Sequence, residues 1–139
     1  MSKRVTGYVK RIKEPEVFVF GSNLAGIHGK GAARQALKWG AVTGVAEGIS
    51  GSTYAIPTKD KTVRKSLSVK AINNYVDRFI KYAAENEDKV FLVTEIGCGL
   101  AGFTPDDIAP MFINALDMDN VKLPKRFWNI INDFCCGSD

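Results

Sequence analysis

Histidine occurs once in the 139 residues and cysteine three times, and no two cysteines stand in a C-x-x-C spacing. Zinc sites draw on paired Cys and His ligands, so the chain offers no such site and no metal is expected. Cys98, Cys135 and Cys136 form an odd set, and adjacent residues such as the last two have poor geometry for a mutual bridge. A reducing compartment suits that usage. Also missing is any apolar run of about 18 or more residues, the length a membrane-spanning helix needs. The opening MSKRVTGYVKR lacks the apolar segment of a secretory signal. The expectation is a soluble, cytoplasmic protein with no membrane partner. Internal repeats, low-complexity tracts and an arginine-rich arm are absent as well. Lys and Arg number 19 against 15 Asp and Glu, a scattered net charge of +4 that permits an anionic ligand without demanding nucleic acid.

What the sequence does contain is apolar residue enough, 45%, for one core without disulfides or metal, and no linker divides it. A single domain over 1–139 is expected. Val17 to Phe20 (VFVF) is a continuous apolar run ending at Gly21, as in a strand buried on both faces of a parallel sheet. After a turn-rich loop, GAARQALKW from Gly31 reads as a helix with Gly40 as its stop. Ser52 to Pro57 (STYAIP) is the next strand, with Pro57 at its end, and Lys59 to Lys65 is a basic loop. Ser68 to Asn86 is the clearest helix. Val69, Ile72, Val76, Phe79, Ile80 and Ala83 make one apolar stripe, while Lys70, Asn74, Asp77 and Lys81 fall on the other side. Lys89 to Thr94 is a second central strand, and TPDD then opens a helix through about Leu116, with Thr104 as N-cap. Val121 to Leu123 and Phe127 to Ile131 are each an edge strand or a closing helix. This alternation indicates an α/β domain with helices on both faces of a mixed, mostly parallel central sheet.

Two glycine-rich segments, GSNLAGIHGKGAA (Gly21 to Ala33) and IGCGLAGF (Ile96 to Phe103), leave their strands at the carboxyl ends, where open α/β sheets bind ligands. Each presents backbone amides without a Cβ in the way and leads into a helix N-terminus, an arrangement that favours phosphate. Two such loops facing each other suit a diphosphate. HGKG is not a P-loop, because Lys30 is followed by Gly31 where a Ser or Thr is needed. Gly97 to Gly102 matches G-x-G-x-x-G, with Asp117 or Asp119 as a ribose acid. That would make a dinucleotide-binding, Rossmann-like domain, but too little sequence follows for its second half.

Taken together, VFVFGSNLAGIHGKGAARQA, YAIPTKD and FLVTEIGCGLAGFTPDDIAPMF resemble the macrodomain family, a three-layer α/β/α fold that binds ADP-ribose. The resemblance covers Val17 to about Phe112. IGCGLAG and PTK are closest to the branch that holds the terminal ADP-ribose protein glycohydrolases, and the whole pattern is similar to macro-like proteins of bacteria and phages. The resemblance implies that Asn23 contacts the distal ribose. It also implies that Gly29, Lys30 and Gly31 with Gly97, Cys98, Gly99, Leu100, Ala101 and Gly102 wrap the diphosphate, and that Phe103 sits against ribose or base. In that branch a lysine after the middle strand attacks the anomeric carbon, and an aspartate in the glycine loop assists. Lys59 stands at the lysine position, whereas Ala101 occupies the aspartate position. The acid that other macrodomains place after their first strand for adenine has no counterpart here. ADP-ribose, free or carried on ADP-ribosylated macromolecules, is the implied partner. No cofactor is implied.

Lys59 reads in two ways, as a nucleophile beside Lys61, Arg64 and Lys65 or as one cation of a solvated loop that attracts a diphosphate. His28 is suited to acid–base work or to hydrogen-bonding a ribose or phosphate. Cys98 stands near a helix N-terminus, a setting that lowers thiol pKa, or is simply a small residue where the backbone meets a ligand. If the protein is an enzyme, it is an ADP-ribosyl glycohydrolase whose water or Lys59 attacks the distal ribose carbon. A reading from a different class is a nucleic-acid-binding accessory protein using the basic loop 59–65.

Overall fold

The structure, a computed structural model, describes residues 5–136, and the Cys135 and Cys136 side chains lie outside what it describes. In chain order it contains β1 (Val5–Thr6), β2 (Glu16–Asn23), α1 (Gly31–Ala36), β3 (Gly48–Ser50) and β4 (Thr53–Lys59). Then come α2 (Val69–Ala84), β5 (Val90–Val93), α3 (Pro105–Ile108), β6 (Val121–Pro124) and α4 (Lys125–Cys136). The six strands form one sheet in the order β1-β6-β5-β2-β4-β3. Every neighbouring pair is parallel except β3 with β4.

The run VFVF explains the layering. Side chains alternate along a strand, so Val17 and Val19 face one side of β2 while Phe18 and Phe20 face the other. The valines join a core under α2, α3 and α4 that includes Ile56, Phe79, Phe91, Phe112 and Phe127. The phenylalanines meet Ala36 of α1, and the Phe18 and Trp39 rings lie 4.8 Å apart. A strand covered on both faces has no polar side, which is why this stretch is apolar throughout.

The stripe read along α2 buries Ile72, Val76, Phe79 and Ala83 completely, and Ser68 caps the helix by accepting from the Ala71 amide. Val69, in the first turn, is 47% exposed and stands off the core.

Three expectations are corrected. The helix opened by TPDD remains α-helical only to Ile108 and continues as a 3-10 helix over Ala109–Ala115. Pro110 is the reason: it has no N–H to donate, and its ring crowds the carbonyl four residues back. Pro57 lies inside β4, opposite Ser22, and the strand runs on to Lys59. The position tolerates proline because β3 pairs only up to Ala55 and leaves that flank of β4 open. Val121–Pro124 is not an edge strand. It pairs with β5 on one side and with the two-residue β1 on the other.

Candidate functional site

From β2 the chain passes through α1 to β4 on one side, then through α2 to β5 on the other side of β2. Strand order therefore reverses between β2 and β5, and a crevice opens beyond their carboxyl ends, where ligands bind in such sheets. A cavity of about 510 Å³ lies there, within the range of small-molecule sites. The loop after β2 contributes Ile27 and Gly29 to Ala33, the loop after β5 contributes Glu95 to Gly97 and Gly99 to Ala101, and the end of β4 contributes Thr58 and Lys59. Gly31 and Gly99, far apart in sequence, thus share one cavity.

The two loops also bring main-chain groups to the cavity. Among the described residues, the amides of Gly29, Lys30 and Gly31 and those of Gly99, Leu100 and Ala101 donate to no protein acceptor. No side chain caps α1 either. Amides left open in this way are groups an anion can satisfy. The glycines themselves are informative. A Cβ at Gly29 or Gly99 would meet nothing within 4 Å, and neither residue has a positive φ. Neither packing nor backbone conformation requires glycine at those two positions, so what the missing side chain preserves is space in the cavity.

Other atoms hold the loops in shape. The Asn23 side chain, 6% exposed, donates from Nδ2 to the Ile27 carbonyl at 2.7 Å and accepts from the Ile27 amide at 3.0 Å. Those two hydrogen bonds close the first loop and still leave one N–H of the amide group for a ligand. Gly26 abuts Gly44, whose amide donates to the Gly26 carbonyl at 2.8 Å, and Ser22 Oγ donates to the Ala46 carbonyl. In the second loop the Phe103 amide donates to the Gly97 carbonyl at 2.8 Å and the Gly102 amide to the Gly99 carbonyl at 3.0 Å. Thr104 and Asp107 then cap α3 reciprocally. The helix after the second loop therefore spends its first turn on its own side chains, contrary to the expectation that both helix N-termini face phosphate.

The basic segment after β4 folds back as a turn. Lys59 bridges Ser66, the Asp60 amide donates to the Lys65 carbonyl at 2.9 Å, and Ser66 Oγ donates to the Ala101 carbonyl. The Thr62 hydroxyl, hydrogen-bonded to Asp60, holds that carboxyl below the usual range. Val63 sits within this turn at φ 64° and lines the cavity. A β-branched residue in the left-handed region is strained by about 1–3 kcal/mol, and such strain clusters at functional sites.

Of the residues singled out from sequence, the cavity brings together Asn23, Gly29, Lys30, Gly31, Lys59, Gly97, Gly99, Leu100 and Ala101. Four are not among its lining residues. His28 is 4% exposed, its ring stands edge-on to Phe20 at 5.3 Å, and Nε2 donates to the Val42 carbonyl at 3.2 Å. The imidazole points behind the loop, so the acid–base role expected of it lacks access to the cavity. Phe103 packs against the main core and approaches Gly97 from below. Gly102 lies off the lining at φ 85°. Cys98 is half-buried, and its thiol is pushed up to about 11, first by burial and then by Glu95.

Val63, Thr58, Ile27 and Glu95 line the cavity without having been singled out. Glu95 is the one acid lining it among the described residues, against Lys30 and Lys59. Arg126, at the start of α4, grips it through Nε at 2.7 Å and Nη2 at 2.5 Å. That guanidinium holds the Glu95 carboxyl below the usual carboxylate range, although burial opposes it. A second cavity of about 370 Å³ adjoins the first, sharing Ala32, Thr94 and Glu95, and extends past Tyr8, Gln35, Lys125 and Arg126. Tyr8 is 83% exposed at its mouth. Among the described residues no three His, Cys, Asp or Glu side chains are grouped to hold a metal ion.

No family model and no curated protein sequence matches the chain. Solved structures do. The macrodomain of Mycobacterium tuberculosis DarG superimposes with a TM-score of 0.60 at 20% identity, over 86% of this chain and 94% of that one. The chain has the macrodomain fold. Thermosipho africanus DarTG in complex with ADP-ribose matches with a TM-score of 0.56 at 17% identity, over 80% of this chain and 38% of that one. The macrodomain fold expected from the glycine-loop segments is thus the observed one, whereas the Rossmann-like alternative finds, among the described residues, a single strand, β6, after the G-x-G-x-x-G match.

Proposed function

We propose that the crevice binds ADP-ribose, with the diphosphate on the six open amides of the two glycine loops. The observation that carries this reading is that the residues of both sets line one cavity while, among the described residues, their amides have no acceptor of their own. A diphosphate supplies acceptors for both at once, and charge-assisted bonds to backbone N–H groups are the strong kind. Lys30 and Lys59 add positive charge. A fold neighbour described in complex with ADP-ribose agrees with the assignment. The distal ribose lies toward Asn23 and Lys59, and the adenosine extends over Ala32 and Thr94 into the second cavity, where Tyr8 offers a ring for the base to stack on.

Hydrolysis at the distal ribose is the activity this pose supports. Lys59 or a water held near it attacks the anomeric carbon as the bond from that carbon to the carrier breaks, and the departing carrier group takes up the proton that the attacking group loses; the loop amides anchor the diphosphate and the remaining Asn23 N–H orients the sugar. With alanine at 101, no carboxylate in the second glycine loop serves to resolve a lysine adduct, which favours water as the attacking group. Calorimetric titration with ADP-ribose is expected to give a one-to-one isotherm, and absence of heat at millimolar ligand would remove the binding assignment. Release of ADP-ribose from a labelled macromolecule is expected to fall about 100-fold in Lys59→Ala. Undiminished release would take Lys59 out of the chemistry and leave it a binding cation.

The exposed Lys61, Arg64 and Lys65 at the rim keep a nucleic-acid carrier of the modification in view. Binding to a polyanion weakens steeply with salt, whereas free ADP-ribose in the crevice should respond less, so a salt series with both ligands separates rim from cavity contacts.

A further inference from the structure

We propose that the Glu95–Arg126 pair reads the 2′ position of the adenosine ribose, accepting a hydroxyl and excluding a phosphate, so that the crevice takes NAD-derived and rejects NADP-derived ligands. This rests on the ADP-ribose pose above. With the diphosphate on the loop amides and the distal sugar toward Asn23, the adenosine sugar must cross the junction between the two cavities. Ala32, Thr94 and Glu95 are the residues common to both linings. Glu95 is the one acid among the described residues lining either cavity, so the junction is where a carboxylate meets the ligand.

The geometry gives the two members opposite preferences. Arg126 uses Nε and Nη2 on Glu95 in a two-point grip at 2.7 and 2.5 Å, which takes up the one fork of the guanidinium turned to Glu95 that could otherwise clasp a phosphate. The Glu95 side chain is 31% exposed, and its two carboxylate oxygens, with about four lone-pair sites between them, keep capacity to accept from a ribose hydroxyl beyond the two bonds from Arg126. A 2′-phosphate brings about two negative charges and no donor at neutral pH, and so is repelled from the same place. The pair is thus a latched phosphate site in which the carboxylate stands where the phosphate would.

Titration of wild type and Glu95→Gln with ADP-ribose and with ADP-ribose bearing a 2′-phosphate on the adenosine tests this, with thermal melts to confirm folding. Wild type is expected to prefer ADP-ribose by about tenfold or more, the scale of one charge-assisted hydrogen bond. In Glu95→Gln the preference should shrink to about threefold or reverse, chiefly through tighter binding of the 2′-phosphate to the released arginine. Adding Arg126→Met to Glu95→Gln should cancel that gain. Equal affinity of wild type for both ligands, or an unchanged ratio in folded Glu95→Gln, overturns the proposal while leaving ADP-ribose binding intact. Failure of wild type to bind either ligand instead overturns the underlying pose, and the proposal with it.

Discussion

Gly99→Val is expected to leave unfolding stability within about 0.5 kcal/mol of wild type and to weaken ADP-ribose binding by about 100-fold or more. The stability half follows from the surroundings. Gly99 is exposed, lacks a positive φ, and has nothing within 4 Å of the Cβ it does not carry. The binding half follows from what the added carbons displace. They enter the cavity beside the amides of Gly99, Leu100 and Ala101, where a diphosphate oxygen must come within about 3 Å of nitrogen. Loss of even two charge-assisted bonds, at about 1.5–3 kcal/mol each, exceeds the hundredfold mark. Denaturant unfolding and calorimetry on the same preparation decide it, and a valine variant that binds within about threefold of wild type would contradict the role given to the second loop.

Gly26→Ala is expected to do the opposite, costing about 2–4 kcal/mol of stability, with loss of binding following from the damaged loop. A Cβ at Gly26 would stand 2.6 Å from the Gly44 carbonyl carbon, 2.7 Å from its Cα and 2.9 Å from its nitrogen. All three atoms are main chain, which cannot swing aside as a side chain would, and the φ of 70° adds left-handed strain. The shift of either backbone also stretches the bond from the Gly44 amide to the Gly26 carbonyl that fastens the first loop. The midpoint of denaturant unfolding measures this, and an unchanged midpoint would mean that the loop does not pack as described.

The contrast between Gly26 and Gly99 marks the boundary of what the sequence discloses. Both stand in glycine-rich segments after strands, and nothing local separates a glycine that fits against another backbone from one that keeps space open. The central strands were legible because apolar, β-branched runs bounded by glycine leave few alternatives, and α2 because its stripe repeats over four turns. The strands β1 and β3, of two and three residues, are too short to show a period. The break in the helix after Thr104 had a signal in Pro110. Val63 had none, since valine disfavours the left-handed conformation that the turn imposes on it.

At the site, nothing local in the sequence tells where the His28 ring points: its place in a glycine loop suggests the cavity, and the fold sets it edge-on to Phe20. Glu95 is masked in the sequence by the neighbouring glycines, although the carboxyl end of a central strand is where ligand contacts concentrate. Its partner Arg126 lies 31 positions away and becomes a neighbour only when β6 packs beside β5. The sequence suggested two phosphate-facing helix ends. The fold leaves one, because Thr104 and Asp107 satisfy the other between themselves.

In the proposed complex, backbone amides from two distant loops meet one ligand, and a ¹⁵N-resolved amide titration with ADP-ribose observes those atoms directly. Saturable shifts are expected together at Gly29, Lys30 and Gly31 and at Gly99, Leu100 and Ala101, with a single dissociation constant for both sets. Shifts confined to one loop, or two sets titrating with different constants, would contradict it.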